Sequence, residues 1–223
     1  MFNELARVYD LGNHLLSLGL DFGWRKRLAQ ELAKYAPATV LDLAAGTAGL
    51  ALALKKQLPK ASLIGIDLAE NMLQVAARKI RKRGLEKGIS LARADIERMP
   101  FPDQSFDAAS IAFGIRNLER RGQGLAEIRR VLKPGGILAV LEFALPDQGA
   151  FARLYSIYLG KLLPWIGKLV SGESSYFYLR DTIREFPAPG IFAEELKEAG
   201  FSPKTTLPLG RGAVILFLAQ KRA

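Results

Sequence analysis

Short apolar runs alternate along this chain with longer segments of helical periodicity. From Thr39 onward, each run of strand length is followed by loop residues or by a segment whose apolar residues recur every three or four positions. The predicted strands are TVLDLA (39–44), SLIGID (62–67), ISLARAD (89–95), FDAASIAF (106–113) and ILAVLEF (137–143). The predicted helices are GLALALKKQL (49–58), AENMLQVAARKIRKR (69–83, stopping at Gly84) and GLAEIRRVL (124–132, ending before a KPGG turn). This succession predicts a mainly parallel α/β sheet with helices on both faces.

The C-terminal part changes character. A helix is predicted over FAEELKEAG (192–200), followed by two strands, FSPKTTLPL (201–209) and AVILFLAQK (213–221), joined by GRG. Such a hairpin predicts an antiparallel C-terminal strand at the sheet edge. Together with the five preceding strands, this makes a seven-stranded sheet.

Two segments stand outside the alternating pattern. Residues 1–38 are predicted to be mostly helical, and residues 146–187 are rich in aromatic residues, Leu and Gly. Both are expected to cover the carboxyl ends of the strands, where open α/β sheets bind ligands. We therefore expect residues 1–223 to form one domain, with these two segments as its cover and its insertion.

The composition limits the kinds of functional site that the chain can form. The chain has no cysteine and a single histidine, His14, so disulfides, thiolate chemistry and a metal site are not expected. The formal charge of +10 is compatible with nucleic acid, an anionic membrane, an acidic substrate or simply a basic surface. The N-terminus does not resemble a signal peptide, and no apolar run approaches the roughly 18 residues that span a bilayer. The expected location is cytoplasmic, with attachment to the inner membrane face left open.

The segment LDLAAGTAG (41–49) has the order strand, small-residue loop, helix start. Such a loop lets a ligand approach the backbone and the N–H groups of the helix. Asp67 ends the second strand 21 residues after Gly46, where a carboxylate can accept hydrogen bonds from ribose hydroxyls. Asp95 ends the third strand in the same way and is a candidate contact for the base. Together these features predict a nucleoside ligand.

The loop matches the G-x-G-x-x-G pattern of dinucleotide sites only in part, because Gly46 and Gly49 are present but Ala44 and Ala48 occupy other positions of close approach. Asp42 would repel a pyrophosphate but could orient a cationic ligand. S-adenosylmethionine combines adenosine with positive charge and no phosphate, so it fits better than NAD. The alternative role for Asp42 is structural, as a carboxylate that holds loop amides.

Several longer motifs resemble the ubiquinone/menaquinone-biosynthesis C-methyltransferases, a branch of the class I S-adenosylmethionine-dependent methyltransferases. The resemblance extends from the N-terminal YD…N…S.G…WR pattern through VLDLAAGTAGLA, FGIRN and VLKPGG to YLRDTIREFP (178–187). It implies a Rossmann-like fold and S-adenosyl-L-methionine as cofactor. By position, it implies that Thr47, Asp67, Asp95 and Ile96 contact the cofactor and that Gly46 and Met72 line its pocket.

This chain departs from the family pattern at two places. The usual GTGD is GTAG here, with Ala48 and Gly49, so the acidic residue is lost. Ala112 stands where the family has Ser, which removes a side-chain hydrogen bond but keeps Ala112 as a pocket position. These departures leave open a protein that binds the cofactor without catalysis.

The resemblance implies a polyprenylated quinol as substrate, with demethylmenaquinol favoured and a ubiquinone precursor left open. We expect Arg116 to stabilise the developing phenolate or to hold a proton-accepting water, with Asn117 orienting it. The alternative is that Arg116 forms an ion pair that anchors a loop. His14, beside Tyr9, is a candidate proton acceptor, with a structural role as its alternative.

Two surface features suggest partners. Residues 154–170 place Tyr, Trp and Leu around lysines, a surface suited to an anionic membrane or a prenyl tail. The alternative is an ordinary cap over the active site, and we expect each interpretation to hold in part. The basic run RKIRKRGLEK (78–87) is interpreted as a solvated face. Methylation of RNA or of another small aromatic molecule is the alternative function, but no aromatic platform or RNA-binding module accompanies the basic run, so no nucleic acid is expected. Homo-oligomerisation stays open.

Overall fold

The computed structural model describes residues 19–146, 149, 153–155 and 180–222. Within these ranges, seven strands form one sheet. The strands are β1 (Thr39–Leu43), β2 (Ser62–Asp67), β3 (Ile89–Arg93), β4 (Phe106–Ala112), β5 (Leu132–Phe143), β6 (Phe201–Leu209) and β7 (Val214–Lys221). The helices referred to below are α1 (Asp21–Ala33), α2 (Gly49–Gln57), α3 (Glu70–Arg81), α4 (Arg121–Val131) and α5 (Pro189–Glu198).

The strand order is β3-β2-β1-β4-β5-β7-β6. Strands β1 to β5 run parallel, and β7 is antiparallel to both of its neighbours, β5 and β6. The order reverses beside β1, which pairs with β2 on one side and β4 on the other. In such sheets, ligands bind at the carboxyl ends of the strands next to this reversal. The predicted fold class is confirmed.

One detail of the predicted sheet differs. The last strand, β7, is antiparallel as expected, but it lies between β5 and β6, so the edge strand is β6. Burial explains the placement. Six successive residues of β7 are buried, whereas β6 alternates between exposed and half-buried positions along most of its length. An uninterrupted apolar run suits an interior strand, and an alternating run suits an edge.

Both faces of the sheet are covered by helices. On one face, Leu28 of α1, Leu54 of α2 and Ile80 of α3 belong to a single apolar core. On the other, Ile128 of α4 and Phe192 of α5 pack into a second core. Burying apolar surface on both sides is the main stabilising contribution in such a three-layer arrangement.

Of two predicted helix ends, the glycine cap at Gly84 is confirmed and the turn after α4 is not. Gly84, at φ +64°, ends α3 with the paired hydrogen bonds of a glycine cap: Leu85 N–H to Ile80 O and Gly84 N–H to Arg81 O. The separate KPGG turn, however, is wrong. The strand β5 begins at Leu132 and includes these residues as a bulge, since Phe106 pairs with Leu132 but Ala108 pairs with Ile137.

Helix α1 lies beside the carboxyl ends of two strands. Its Trp24 packs against Phe113, which follows β4, and Phe143, which ends β5, with ring centroids 6.3 and 6.4 Å apart. The cover predicted for residues 1–38 and 146–187 falls mostly outside the described residues and stays a prediction. Among the helices that are described, none has the length and apolar character needed to cross a bilayer.

Candidate active site

The loop after β1 is sharply curved. Ala44, Gly46 and Ala48 have φ angles of +49°, +54° and +66°, in the left-handed region that favours glycine. Two alanines therefore adopt the conformation that glycines usually supply in such loops. A Cβ on Gly46 would meet nothing closer than Ala44 O, at 3.9 Å, so open space lies above the loop. The loop can therefore admit a ligand close to its backbone.

Asp67 ties this loop to the end of β2. Its Oδ2 accepts a hydrogen bond from the Gly46 N–H at 2.8 Å, and its Oδ1 accepts one from the Ala69 N–H at 2.8 Å. Burial raises the pKa of Asp67, although these amide hydrogen bonds oppose the rise. Each carboxylate oxygen retains a lone pair, so Asp67 can still accept hydrogen bonds from vicinal hydroxyls.

Asp42, in β1 beneath the loop, is fully buried. The Ser110 hydroxyl donates to its Oδ1 at 2.9 Å, whereas its Oδ2 has no hydrogen-bond partner among the described residues. Burial raises the pKa of Asp42 to about 7, with Ser110, Arg25 and the Ala51 amide partly offsetting it. A buried carboxylate oxygen without a donor is costly unless a cationic group or donor joins it.

These features fit S-adenosylmethionine. An orphaned oxygen near the loop suits a positively charged ligand, the Asp67 carboxylate suits ribose hydroxyls, and the space above Gly46 suits close approach. The fit therefore supports the cofactor that the sequence predicts.

The other predicted cofactor contacts stand at the same edge of the sheet. Asp95 follows β3 and accepts the Glu97 N–H at 2.8 Å, and the neighbouring Ala94 N–H reaches the Asp67 carbonyl at 3.2 Å. Thr47 is buried, and its hydroxyl accepts a hydrogen bond from Lys79 Nζ at 2.7 Å. The remaining predicted positions are buried or half-buried at this edge: Met72, Ile96 and Ala112. Contact of these residues with the cofactor stays a prediction.

Arg116 lies in a short 3-10 turn after β4, Ile115–Asn117. Its Nη1 donates to Glu142 Oε1 at 2.5 Å and to Phe113 O at 2.8 Å, and the Arg116 and Glu142 side chains are 2% and 0% exposed. This geometry favours the ion-pair alternative, because the guanidinium faces Glu142. Contact of Arg116 or Asn117 with substrate stays a prediction.

Phe113 and Gly114 allow the loop after β4 to lie against the loop after β1. Phe113 turns the chain with φ +60°, an uncommon conformation for an aromatic residue, and its ring lies 4.5 Å from that of Phe143. A Cβ on Gly114 would lie only 2.7 Å from the Cβ of Ala44. Gly114 is therefore required for the β4 loop to approach the loop after β1.

Sequence reasoning missed four residues of this site: Arg25, Ser110, Gly114 and Glu142. A signal existed for Glu142, because a single acidic residue within ILAVLEF predicts a buried partner. The candidate proton acceptors His14 and Tyr9, and the segment 154–170, lie outside the described residues.

Comparison with known proteins agrees with this site. The model of the ubiE/COQ5 methyltransferase family matches residues 1–221. A demethylmenaquinone methyltransferase of Thermus thermophilus is 46% identical over 208 residues, covering 93% of this chain and 94% of the relative. A ubiquinone/menaquinone biosynthesis C-methyltransferase UbiE of Syntrophotalea carbinolica is 42% identical over 217 residues, covering 97% and 91%.

Solved structures show the same fold at lower identity. A SAM-dependent methyltransferase from Aquifex aeolicus is 20% identical and superposes with a TM-score of 0.63, covering 86% of this chain and 88% of its own. The [4+2]-cyclase SpnF is also 20% identical and superposes with a TM-score of 0.67, covering 89% of this chain and 81% of its own. The sheet order, the curved loop with its acidic partners and the full-length match lead to one conclusion: the chain belongs to the ubiE/COQ5 methyltransferase family.

Proposed function

We propose that the protein transfers a methyl group from S-adenosyl-L-methionine to a ring carbon of a polyprenylated quinol. The preferred substrate is demethylmenaquinol, because the relatives from Thermus thermophilus and Bacteroides fragilis are named demethylmenaquinone methyltransferases. A ubiquinone precursor is the second substrate, because other relatives are named for both pathways. The single structural observation that carries the proposal is the unpartnered Oδ2 of buried Asp42 beneath the curved loop.

The chain's own residues divide the work of binding. Asp67 holds the ribose hydroxyls, and Asp95, Ile96 and Met72 enclose the base. Asp42 supplies negative charge near the cationic part of the ligand. When bound, the cofactor supplies an electrophilic methyl group on its sulfonium. Holding that group in line with a ring carbon lowers the entropic barrier of the transfer.

A quinol carbon becomes a good nucleophile when the neighbouring hydroxyl loses its proton. His14 and Tyr9 are our candidates for accepting or relaying that proton. Glu142 balances the charge of Arg116 and fixes its position at the end of β4. We propose that Arg116 orients the 113–117 loop and with it Asn117, so that Arg116 acts as a positioning residue.

The decisive experiment is transfer of a labelled methyl group to demethylmenaquinol, to a demethylated benzoquinol and to total RNA in parallel. The expected result is label in the first, in the second to a lesser extent, and none in RNA. Asp67→Ala should abolish transfer, while Asp103→Ala, an exposed carboxylate paired with Arg130, should leave it unchanged. Labelled RNA without labelled quinol would overturn the proposal, and cofactor binding without transfer to any quinol would point to a non-catalytic protein.

The role of Arg116 has its own test. Arg116→Lys keeps the charge but loses the planar donor geometry. A large loss of methyl transfer with unchanged folding supports a role that needs the guanidinium. Near-normal transfer with unchanged folding would remove Arg116 from the chemistry. His14→Ala with full turnover across the range from mildly acid to mildly alkaline pH would likewise exclude His14 as the base.

We also propose peripheral contact with an anionic membrane, because the substrate class carries a prenyl tail and the chain has a net charge of +10. Residues 154–170 are the proposed contact. Flotation with anionic liposomes should weaken when Leu162 and Trp165 are both replaced by Ser. Unchanged flotation would remove this segment from the contact.

A further inference from the structure

Arg25 places a positive charge at the start of α2, although it belongs to α1. A Cβ built on Gly49, the first residue of α2, would lie 3.4 Å from its Nε, Cζ and Nη1. The guanidinium also lies 5.4 Å from the ring centroid of Phe113, which follows β4. Two elements of the candidate site, the start of α2 and the end of β4, thus meet at this one side chain.

The side chain is mostly buried, at 13% exposure, and Asp21 one turn earlier is its ion-pair partner. Among the described residues, its hydrogen bonds are confined to that pair. A guanidinium has five N–H donors in a planar fork, so the Asp21 pair does not saturate it. An Arg in this state is well suited to receive a carboxylate through two parallel hydrogen bonds.

A second charge of opposite sign stands nearby. Arg25 acts electrostatically on the Asp42 carboxylate, whose Oδ2 has no hydrogen-bond donor among the described residues. The site therefore offers a cation and an anion within electrostatic range of each other. The N–H groups at the start of α2, which no side chain caps in this part of the chain, add to the positive potential beside Arg25.

We infer that Arg25 and Asp42 together recognise the zwitterionic amino-acid end of the cofactor, Arg25 binding its α-carboxylate and Asp42 favouring its α-ammonium. This inference rests on the proposed function, since it concerns the same cofactor. Arg25 is then a binding residue that positions the methyl donor. A Cβ at Gly49 would be in van der Waals contact with the guanidinium, so Arg25 lies directly against the start of α2.

The competing explanation is that Arg25 only stabilises the fold through Asp21 and Phe113. Two ligands separate the explanations: S-adenosylhomocysteine, which retains the amino-acid end, and 5′-methylthioadenosine, which lacks it. Both share the adenosine and the sulfur. Calorimetric titration of each into the wild-type protein and its variants gives binding constants that do not depend on turnover.

Arg25→Met should weaken the binding of S-adenosylhomocysteine about 10- to 100-fold, which is the loss expected for a charge-assisted pair. The binding constant of 5′-methylthioadenosine should stay within about twofold of the wild-type value. Arg25→Lys should recover part of the loss. Arg27→Met is the matched control, because Arg27 lies on the same helix, pairs with Glu31 and is 49% exposed. It should change neither constant.

The inference would be overturned if Arg25→Met weakened the binding of both ligands equally, or if it left the binding of S-adenosylhomocysteine unchanged. If neither ligand binds the wild-type protein, the proposed function itself fails. Retained 5′-methylthioadenosine binding verifies that each variant is folded. Should Arg25→Met not fold, Arg25→Gln and Arg25→Lys give the same comparison, and a preserved preference for S-adenosylhomocysteine in both would equally overturn it.

Discussion

Glu142 and Arg116 form an ion pair from which water is excluded, with an O–N distance of 2.5 Å and side chains 0% and 2% exposed. The pair joins the end of β5 to the turn after β4. The Phe143 N–H also donates to the same carboxylate, at 2.9 Å, and the Arg116 guanidinium lies 5.4 Å from the Phe143 ring centroid. The charges are thus held by hydrogen bonds and an aromatic face, which offsets part of their desolvation cost.

Removing one member of this pair should destabilise the protein strongly. Arg116→Met leaves the Glu142 carboxylate buried and unpaired, and we expect a loss of about 3–5 kcal/mol in the free energy of unfolding. The double variant Arg116→Met/Glu142→Leu should recover much of that loss, because no charge remains buried. Urea unfolding measures both. A double variant as unstable as the sum of its single variants would show that the two residues stabilise the fold independently.

Asp42 should make stability decrease as pH rises. Its pKa is about 7 in the folded protein and near 3.8 when unfolded, so the folded state binds the proton more tightly between these values. The contribution of Asp42 to the free energy of unfolding is full below about pH 4 and declines as pH rises to about 7. Asp42→Asn removes this dependence, so between pH 5 and 8 the wild-type protein should lose about 2–3 kcal/mol more than the variant.

The comparison requires urea unfolding of both proteins at several pH values without cofactor. Parallel stability profiles for the wild-type protein and Asp42→Asn would contradict a raised pKa at this position. Ser110→Ala is a useful companion, because losing the hydroxyl that donates to Oδ1 should raise the pKa of Asp42 further and extend the decline to higher pH.

Gly114 and Ala44 should behave as a coupled pair. Gly114→Ala puts a Cβ 2.7 Å from that of Ala44, so the two loops must separate, and we expect lower stability and weaker cofactor binding. Ala44→Gly in the same chain removes the clash and also relieves the φ of +49° at that position. The double variant should therefore bind S-adenosylhomocysteine more tightly than Gly114→Ala alone.

The coupling is measured by a double-mutant cycle in binding constants and midpoints of unfolding. Additive effects would mean that the loops do not touch at these residues. The neighbouring Ile111 side chain, 3.3 Å from the added Cβ, can shift and should not by itself prevent the rescue.

Asp107 should stabilise the folded protein mainly at pH values above about 4. Burial alone would raise its pKa, but hydrogen bonds from Lys133 and Thr39 outweigh burial and lower it to about 2. The ionised carboxylate accepts Thr39 N–H at 2.8 Å and Lys133 Nζ at 2.7 Å, joining the starts of β1 and β4 to the bulge in β5. This contribution is full above about pH 4 and is lost as pH falls toward 2.

We expect Asp107→Asn to cost about 1 kcal/mol at neutral pH, since partial exposure screens the charge, and less at pH 2. Asp103→Asn, which affects the 71% exposed partner of Arg130, is the control and should cost less than about 0.5 kcal/mol. Equal losses at pH 7 and pH 2 would show that hydrogen-bond geometry rather than charge explains the effect.

The order of strands and helices up to β4 could be predicted because each run has its own period. The β5 bulge could not, because Gly135 adopts φ +75° within an extended segment that is held by Asp107 and Gln220, partners distant in sequence. The sequence interpretation also placed the C-terminal strand at the sheet edge, whereas that strand, β7, pairs with β5 and the edge strand is β6. Comparing the continuous apolar run of β7 with the alternating pattern of β6 would have decided it.

The candidate site shows the same division. Gly46, Asp67 and Asp95 were predictable because loops after parallel strands meet at one edge of a sheet. The partner of Arg116 was not, because Glu142 lies 26 residues away and only the pairing of β4 with β5 brings the two together. Arg25 was missed because its neighbours, Gly49 and Phe113, come from elements that touch only in the folded protein.

The interior position of β7 has a consequence for how the chain acquires its structure. During synthesis, β6 emerges before the strand that must lie between it and β5, so it has no neighbour with which to pair. The edge of β5 likewise stays uncovered until β7 arrives and forms hydrogen bonds on both sides at once. The order of assembly therefore differs from the order of translation, and exposed strand edges at this stage are where a chaperone would be most useful.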